Sequence, residues 1–301
     1  MRRRSGMLAF AMLPALVLGS WAWNVLAQPL SVDEPDNPLL REPLWECGLF
    51  NGAARLPQYN GSDEYSTYVV PLPYFLYRGE VLRAGRDGIK GIFYQGEHVG
   101  TDLSMSGNPP VSRDNKARTG MPTPGALVEI GPALKVSFFH KDVPDALTLR
   151  GSIRAACSFD VTDDMRAAGE GFRSTLDLAY NNRSLFEKRQ LRFGAILSAD
   201  VIDQEYSDFY YGVPRAYATE SRPAYEAGGG YAGFGVSAHA TKQLSRRLSV
   251  GLFAKWINLE GAAFEDSPLV KTRNNTVLGC ALIWQIAESK RFVTSPTGEE
   301  P

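Results

Sequence analysis

From residue 126 onward, apolar or small residues alternate with polar ones, a period of two that predicts β-strands with two unlike faces. In ALTLRGSIRAACSFD (146–160), Leu147, Leu149, Ile153, Ala155, Cys157 and Phe159 alternate with Thr148, Arg150, Ser152, Arg154 and Ser158. LVEIGPALKVSFF sets Val128, Ile130, Leu134, Val136 and Phe138 against Glu129, Lys135 and Ser137, and GFRSTLDLAYN sets Phe172, Leu176, Leu178 and Tyr180 against Arg173, Thr175 and Asp177. QLRFGAILSADV and RLSVGLFAKW repeat the pattern, whereas both faces of NTVLGCALIWQI are apolar.

Such strands suit two architectures. In a sandwich the apolar face packs on a second sheet and the charged face is wet; in a membrane barrel the apolar face meets lipid and the charged face lines the lumen. The segments run about 10 to 14 residues, nearer the roughly 9 to 11 of a membrane-crossing strand than the about 5 or 6 of a globular one. Short links at 140–145, 183–189 and 242–246 alternate with longer ones at 160–170, 204–229 and 261–273, as periplasmic turns alternate with extracellular loops. The expected fold is therefore all-β, an antiparallel transmembrane β-barrel. Pro71 and Pro73 in STYVVPLPYFLYRG remove ladder donors and suit an edge or a bulge. Counting VLRAGRDGIKGIFYQG as one strand gives about eleven strands; both termini on the periplasmic side require an even number. That makes about twelve if the piece is two strands, with about ten the alternative.

The ends set the domain bounds. Residues 1–27 (MRRRSGMLAFAMLPALVLGSWAWNVLA) combine three arginines with an apolar stretch and a small residue at the end, the pattern of a secretory signal peptide. An extended, Pro-rich lead-in is expected over 28–44, the barrel over 45–286 and a polar tail over 287–301. Without residues 1–27, Lys and Arg fall from 32 to 29 against 33 Asp and Glu, a formal charge of −4 that offers no electrostatic case for nucleic acid. Cys47, Cys157 and Cys280 are odd in number and lack metal-like spacing, which argues against a disulfide framework.

Candidate chemistry is sparse. His98, His140 and His239 form no HxxxH or HExxH pair, so no metal site is expected, and no cofactor motif is present. Ser237 and His239 share one face of a strand, the spacing of a nucleophile and its base in a lipid-cutting barrel, but such pairs arise by chance in Ser-rich strands and no catalytic residue is assigned. Glu129, Lys135, Arg150, Arg154, Arg173, Asp177, Arg192, Asp200 and Lys255 all fall on the polar parity, where a barrel would gather them into paired networks that plug its lumen. QEYSDFYYGVP predicts a short helix and turn in a long loop, with Tyr206, Phe209, Tyr210 and Tyr211 forming either a contact surface or the loop's own packing.

Several stretches together resemble the MipA/OmpV family of outer-membrane proteins. They are LPQYNGSDEYSTYVVPLPYFLYRG (56–79), ARTGMPTPGALVEIGPAL (117–134), FYYGV (209–213) and EDSPLV (265–270), in the family's order. The resemblance implies a β-barrel in the outer membrane and a non-enzymatic scaffold that holds a murein-degrading lytic transglycosylase near a murein synthase. Some members are associated with adhesion or antibiotic response. It carries over no catalytic residue and no binding residue. A small channel is the alternative function, an adhesin another, and a lipid-modifying enzyme a third. The polar tail after Trp284 and Ile286 departs from the aromatic last residue usual in such barrels.

Overall fold

The computed structural model describes residues 41–78, 82–85, 88–91, 94–96, 98–138, 145–160, 166–182 and 191–294. The expected signal peptide, most of the lead-in, the link at 183–189, nearly all of the link at 140–145 and the end of the tail lie outside the described residues.

Ten long strands build the molecule: β2 (Trp45–Pro57), β3 (Tyr65–Arg78), β7 (Val99–Asn108), β8 (Ala126–Ser137), β9 (Asp145–Asp160), β10 (Arg166–Asn182), β11 (Leu191–Ile202), β12 (Gly230–Ser245), β13 (Leu248–Asn258) and β14 (Asn274–Glu288). The piece around 81–96 gives three strands of two to four residues, β4 (Leu82–Gly85), β5 (Gly88–Gly91) and β6 (Tyr94–Gln95), instead of the two crossings that a total of twelve would need. Among the described residues the long strands therefore number ten, the lower of the two expected totals. All thirteen strands form one antiparallel sheet in the order β5-β4-β3-β2-β14-β13-β12-β11-β10-β9-β8-β7-β6. The last long strand pairs with the first, Leu278 to Glu288 against Arg55 to Glu46, and β5 lies beside β7. A sandwich would need two sheets; this is one sheet curled on itself.

β3 pairs with β2 along its whole length but, among the described residues, with β4 only at Tyr77 and Arg78, so no described strand asks Pro71 or Pro73 for a donor on that side. Two expected links shorten because the ladders run further than the apolar alternation does. β12 and β13 meet at Ser245 and Leu248, leaving only Arg246 and Arg247 to turn, and Phe159 pairs with Ala167, so most of the expected 160–170 loop is strand. Past the end of β14, β15 (Phe292–Thr294) pairs with β1 (Arg41–Pro43), which ties the two ends of the described chain together on the side away from the long loops.

The two faces separate as a membrane requires. Leu252 and Ile153 are 60% and 58% exposed on the outside, while Glu129 and Arg154 are 0% and 5% exposed within. Apolar side chains left to the solvent on so many adjacent strands are stable only if that solvent is lipid. Along β13 the outward positions run from Trp256, which meets Phe234 edge to face, to Leu248, which pairs with Trp284. Eight rises of about 3.4 Å, tilted by about 40°, make an apolar band about 20 Å tall, close to the roughly 25 Å of outer-membrane barrels.

Cys47, Cys157 and Cys280 are free thiols, and their ladder partners Phe75, Val128 and Leu252 all lie on the outward face. The expected result is labelling of all three by a maleimide that dissolves in the bilayer and protection from a charged one. Rapid reaction of Cys280 with the charged reagent in intact membranes would contradict the outward assignment.

Candidate functional site

The stretches that carry the family resemblance converge on one mouth of the barrel. Here the loop 58–64, the segment 109–125, the segment 203–229 and the loop 259–273 fold over one another into a cap. Segment 203–229 begins with a helix, α1 (Gln204–Tyr211), capped by the Asp203 side chain, which accepts a hydrogen bond from Tyr206 N at 2.9 Å. Its Tyr206 and Tyr210 fall one turn apart and, with Tyr211, are buried, so the helix drops its aromatic side into the mouth. Of the two readings of this stretch the structure takes the loop's own packing for these tyrosines, because only the cap's interior can take up so much aromatic area.

Each loop is tied to a distant one. Tyr59 Oη donates to Leu269 O at 2.8 Å, Gly61 N to Asn275 Oδ1 at 2.6 Å and Tyr211 Oη to Asn60 O at 2.9 Å. Gly61 has φ +95°, a conformation that favours glycine. Ser267 Oγ donates to Tyr211 O at 2.7 Å, and the Tyr211 ring stacks on Phe264 with centroids 3.7 Å apart. Two buried arginines pin the rest. Arg118 donates to the carbonyls of Pro122, Phe209 and Tyr210 and lies 5.5 Å over the Tyr59 ring. Arg222 donates to Ala117 O and Thr119 O at 3.0 Å each and to Tyr217 O at 2.9 Å. Both cations answer backbone carbonyls that a loop leaves unpaired. Arg118 stands in a quoted stretch, but Arg222 carried no sequence signal.

Beneath the cap the lumen has two unlike walls. Inward residues of β2, β3, β13 and β14, among them Phe50, Tyr74, Phe253, Ile257 and Ile283, join the α1 tyrosines in one apolar cluster. The opposite wall, from β7 to β11, is ionic. Arg154 Nε donates to Glu129 Oε2 at 2.9 Å, and Arg173 donates to Asp200 through Nε at 3.1 Å and Nη2 at 2.7 Å while its Nη1 reaches Glu129 Oε1 at 3.5 Å. Thr175 Oγ1 joins the arms, accepting from Arg154 Nη2 at 2.6 Å and donating to Asp200 Oδ1 at 2.7 Å. Tyr206 Oη of α1 donates to Glu129 Oε1 at 2.8 Å, fastening the cap to the wall. Cβ on Gly131 would stand 1.9 Å from Ile153 O, so only glycine lets β8 close on β9 beside Arg154. Two carboxylates and two guanidiniums thus balance in a site largely shielded from water, a geometry that holds structure together.

Ser237 and His239 both face the lumen and are buried. The imidazole and Asn181 fill the space above Gly194, where a Cβ would stand 2.3 Å from His239 Cε1 and 2.5 Å from Asn181 Oδ1. His98 is exposed, with Nδ1 3.2 Å from Ser137 O, and His140 lies outside the described residues. Among the described residues no cluster of His, Cys, Asp or Glu has the makings of a metal site.

Burial pushes the Tyr59 hydroxyl up from its ordinary 10.0 to about 12. Tyr210 and Tyr211 are raised by the same cause, and Tyr206 by burial and then by the Glu129 charge. A folded value above the unfolded one means that their stabilisation is complete below about pH 10 and is lost as pH climbs through the folded value of about 12 for Tyr59. A tyrosinate absorbance titration of the folded barrel should show these hydroxyls ionising late, with protease sensitivity of 203–229 appearing in the same window. Cleavage that is complete by pH 9 would refute the coupling.

A single curled antiparallel sheet, apolar outside and ionic within, with its mouth closed by its own loops, defines an outer-membrane β-barrel. Within that class the chain belongs to the family described as MltA-interacting protein MipA, which matches residues 49–286. Among solved structures it is similar to Pseudomonas putida OprB, with 8% identity, TM-score 0.35 and coverage of 80% of this chain and 94% of that one. It is also similar to outer membrane phospholipase A from Escherichia coli (10% identity, TM-score 0.28, covering 88% and 97%) and to the CymD monoaromatic hydrocarbon channel (12%, 0.32, 87% and 94%). No curated protein matches the chain.

Proposed function

We propose that this barrel is a non-enzymatic scaffold that holds cell-wall enzymes at the outer membrane, with a lytic transglycosylase as its first partner and a murein synthase as its second. The observation that carries the reading is the match to a family described as an MltA-interacting protein over residues 49–286. The architecture supports it. The cap and the ionic wall occupy the lumen side, which leaves the rims and turns for partners. Ser237 and His239 face inward, away from membrane lipid, which supports a scaffold over a lipid-cutting enzyme. Capture by the full-length protein in detergent should retain the lytic transglycosylase from a periplasmic extract. Recovery of none of the murein enzymes would overturn the scaffold reading and leave the barrel intact. Ser237→Ala should leave the lipid profile of the outer membrane unchanged.

A further inference from the structure

Charge is divided along the barrel axis. At the capped end the four segments together hold eleven acids against seven bases, the excess coming from 58–64, 203–229 and 259–273, while segment 109–125 is itself basic. The opposite rim is basic. Lys242, Arg246 and Arg247 lie at the β12–β13 turn, Lys290 and Arg291 follow β14, and all five are exposed. The two groups flank the same strand end, because Gln285 N donates to Arg247 O at 2.8 Å and Leu44 N to Arg291 O at 2.8 Å. Among the described residues none of the five side chains is paired with a carboxylate; Glu46 and Glu288 instead receive the Gln285 amide at 3.1 and 3.0 Å.

The surroundings of these cations belong to a membrane surface. Leu244, between Lys242 and Arg246, is 53% exposed, and the outward Trp284 and Ile286 beside the turn are 51% and 48% exposed. Trp45 stacks on Phe75 with centroids 6.2 Å apart, and its backbone carbonyl accepts from Ser289 N at 2.7 Å, so it stands at the root of Lys290 and Arg291. Lys242 lies in register with Val250 and Leu191 on the outward face, where its stem runs along lipid and its ammonium reaches the headgroups. Aromatic rings at the interface with cations immediately beyond them are the arrangement that captures phosphate headgroups.

We infer that this rim, Lys242, Arg246, Arg247, Lys290 and Arg291 around the exposed Leu244, binds the headgroups of anionic phospholipids in the periplasmic leaflet. The inference is independent of the scaffold reading. Each cation near an anionic lipid surface is worth roughly a fivefold gain in binding. Retention of anionic over zwitterionic lipid should therefore fall at least about tenfold when four of them are neutralised.

The test uses the full-length protein in nanodiscs of equal phosphatidylglycerol and phosphatidylcholine, with the lipids that stay bound after release counted by native mass spectrometry. Wild type should retain phosphatidylglycerol in large excess, and R246Q/R247Q/K290Q/R291Q should retain the two lipids equally. No preference in wild type, or an unchanged preference in the variant, overturns the inference. Co-sedimentation with purified murein separates the other polyanion of this compartment. If the substitutions abolish sedimentation while lipid selectivity stays, the rim binds the polymer and the lipid assignment is wrong. Should the fourfold variant lose its fast-migrating unboiled band, R246Q/R247Q and K290Q/R291Q are measured separately, and each must lower the preference for the inference to stand.

Discussion

Glu129→Ala is expected to destabilise the barrel more than any other single substitution in the lumen, by about 3–5 kcal/mol. The carboxylate is 0% exposed and accepts from three groups of three different elements: Arg154 on β9, Arg173 on β10 and Tyr206 on α1. Removing it strands two guanidiniums away from bulk water with Asp200 as their one remaining carboxylate in the network, and an unpaired buried charge costs far more than the pair contributes when intact. Tyr206→Phe removes one bond to a charged acceptor and should cost about 1.5–3 kcal/mol. The measurement is the temperature at which the unboiled, fast-migrating band gives way to the slow one. A Glu129→Ala midpoint no lower than that of an exposed substitution such as Lys271→Ala would show that the network does not brace the wall.

That network also explains how much could be read in advance. Strand faces were legible because a ladder's parity is local: placing Glu129, Arg154, Arg173 and Asp200 on the polar side of their own strands put all four in the lumen once the sheet closed. Their pairing was not legible, since it depends on register between strands, such as Thr175 opposite Asp200 and Arg173 opposite Arg154. The front half misled the count for a related reason. Among the described residues, the Gly-rich pieces around 81–96 form strands of two to four residues, too short to cross a bilayer.

The cap was the least legible part, although its residues stood in the stretches that resemble the family. Tyr59 and Leu269, joined by one hydrogen bond, are 210 positions apart, and no periodicity links them. Tyrosines in a polar loop look exposed to any local rule, whereas here the barrel mouth supplies an apolar wall for them to bury against. The loops at the mouth are largely occupied with one another.

Arg118→Ala is expected to release the cap without unfolding the barrel. The guanidinium serves three carbonyls from two segments of the cap, and alanine leaves all three short of a donor in a buried setting. A loss of about 3 kcal/mol is reasonable for several buried hydrogen bonds, which raises the open fraction of the cap about a hundredfold. Because α1 covers the mouth through Tyr206 and Tyr210, opening should uncover the ionic wall of the lumen, where Arg150 meets Asp102 at 3.1 Å and both are partly exposed. Two readouts follow in planar bilayers and intact cells. Small, brief currents nearly absent in wild type should become frequent in the variant, and external protease should cut within 203–229. Arg118→Lys restores charge but not the three-way fork, so it should rescue only part of the closure. Large steady currents through the unmodified protein would reverse the argument, making the barrel an open channel and the cap a selectivity element.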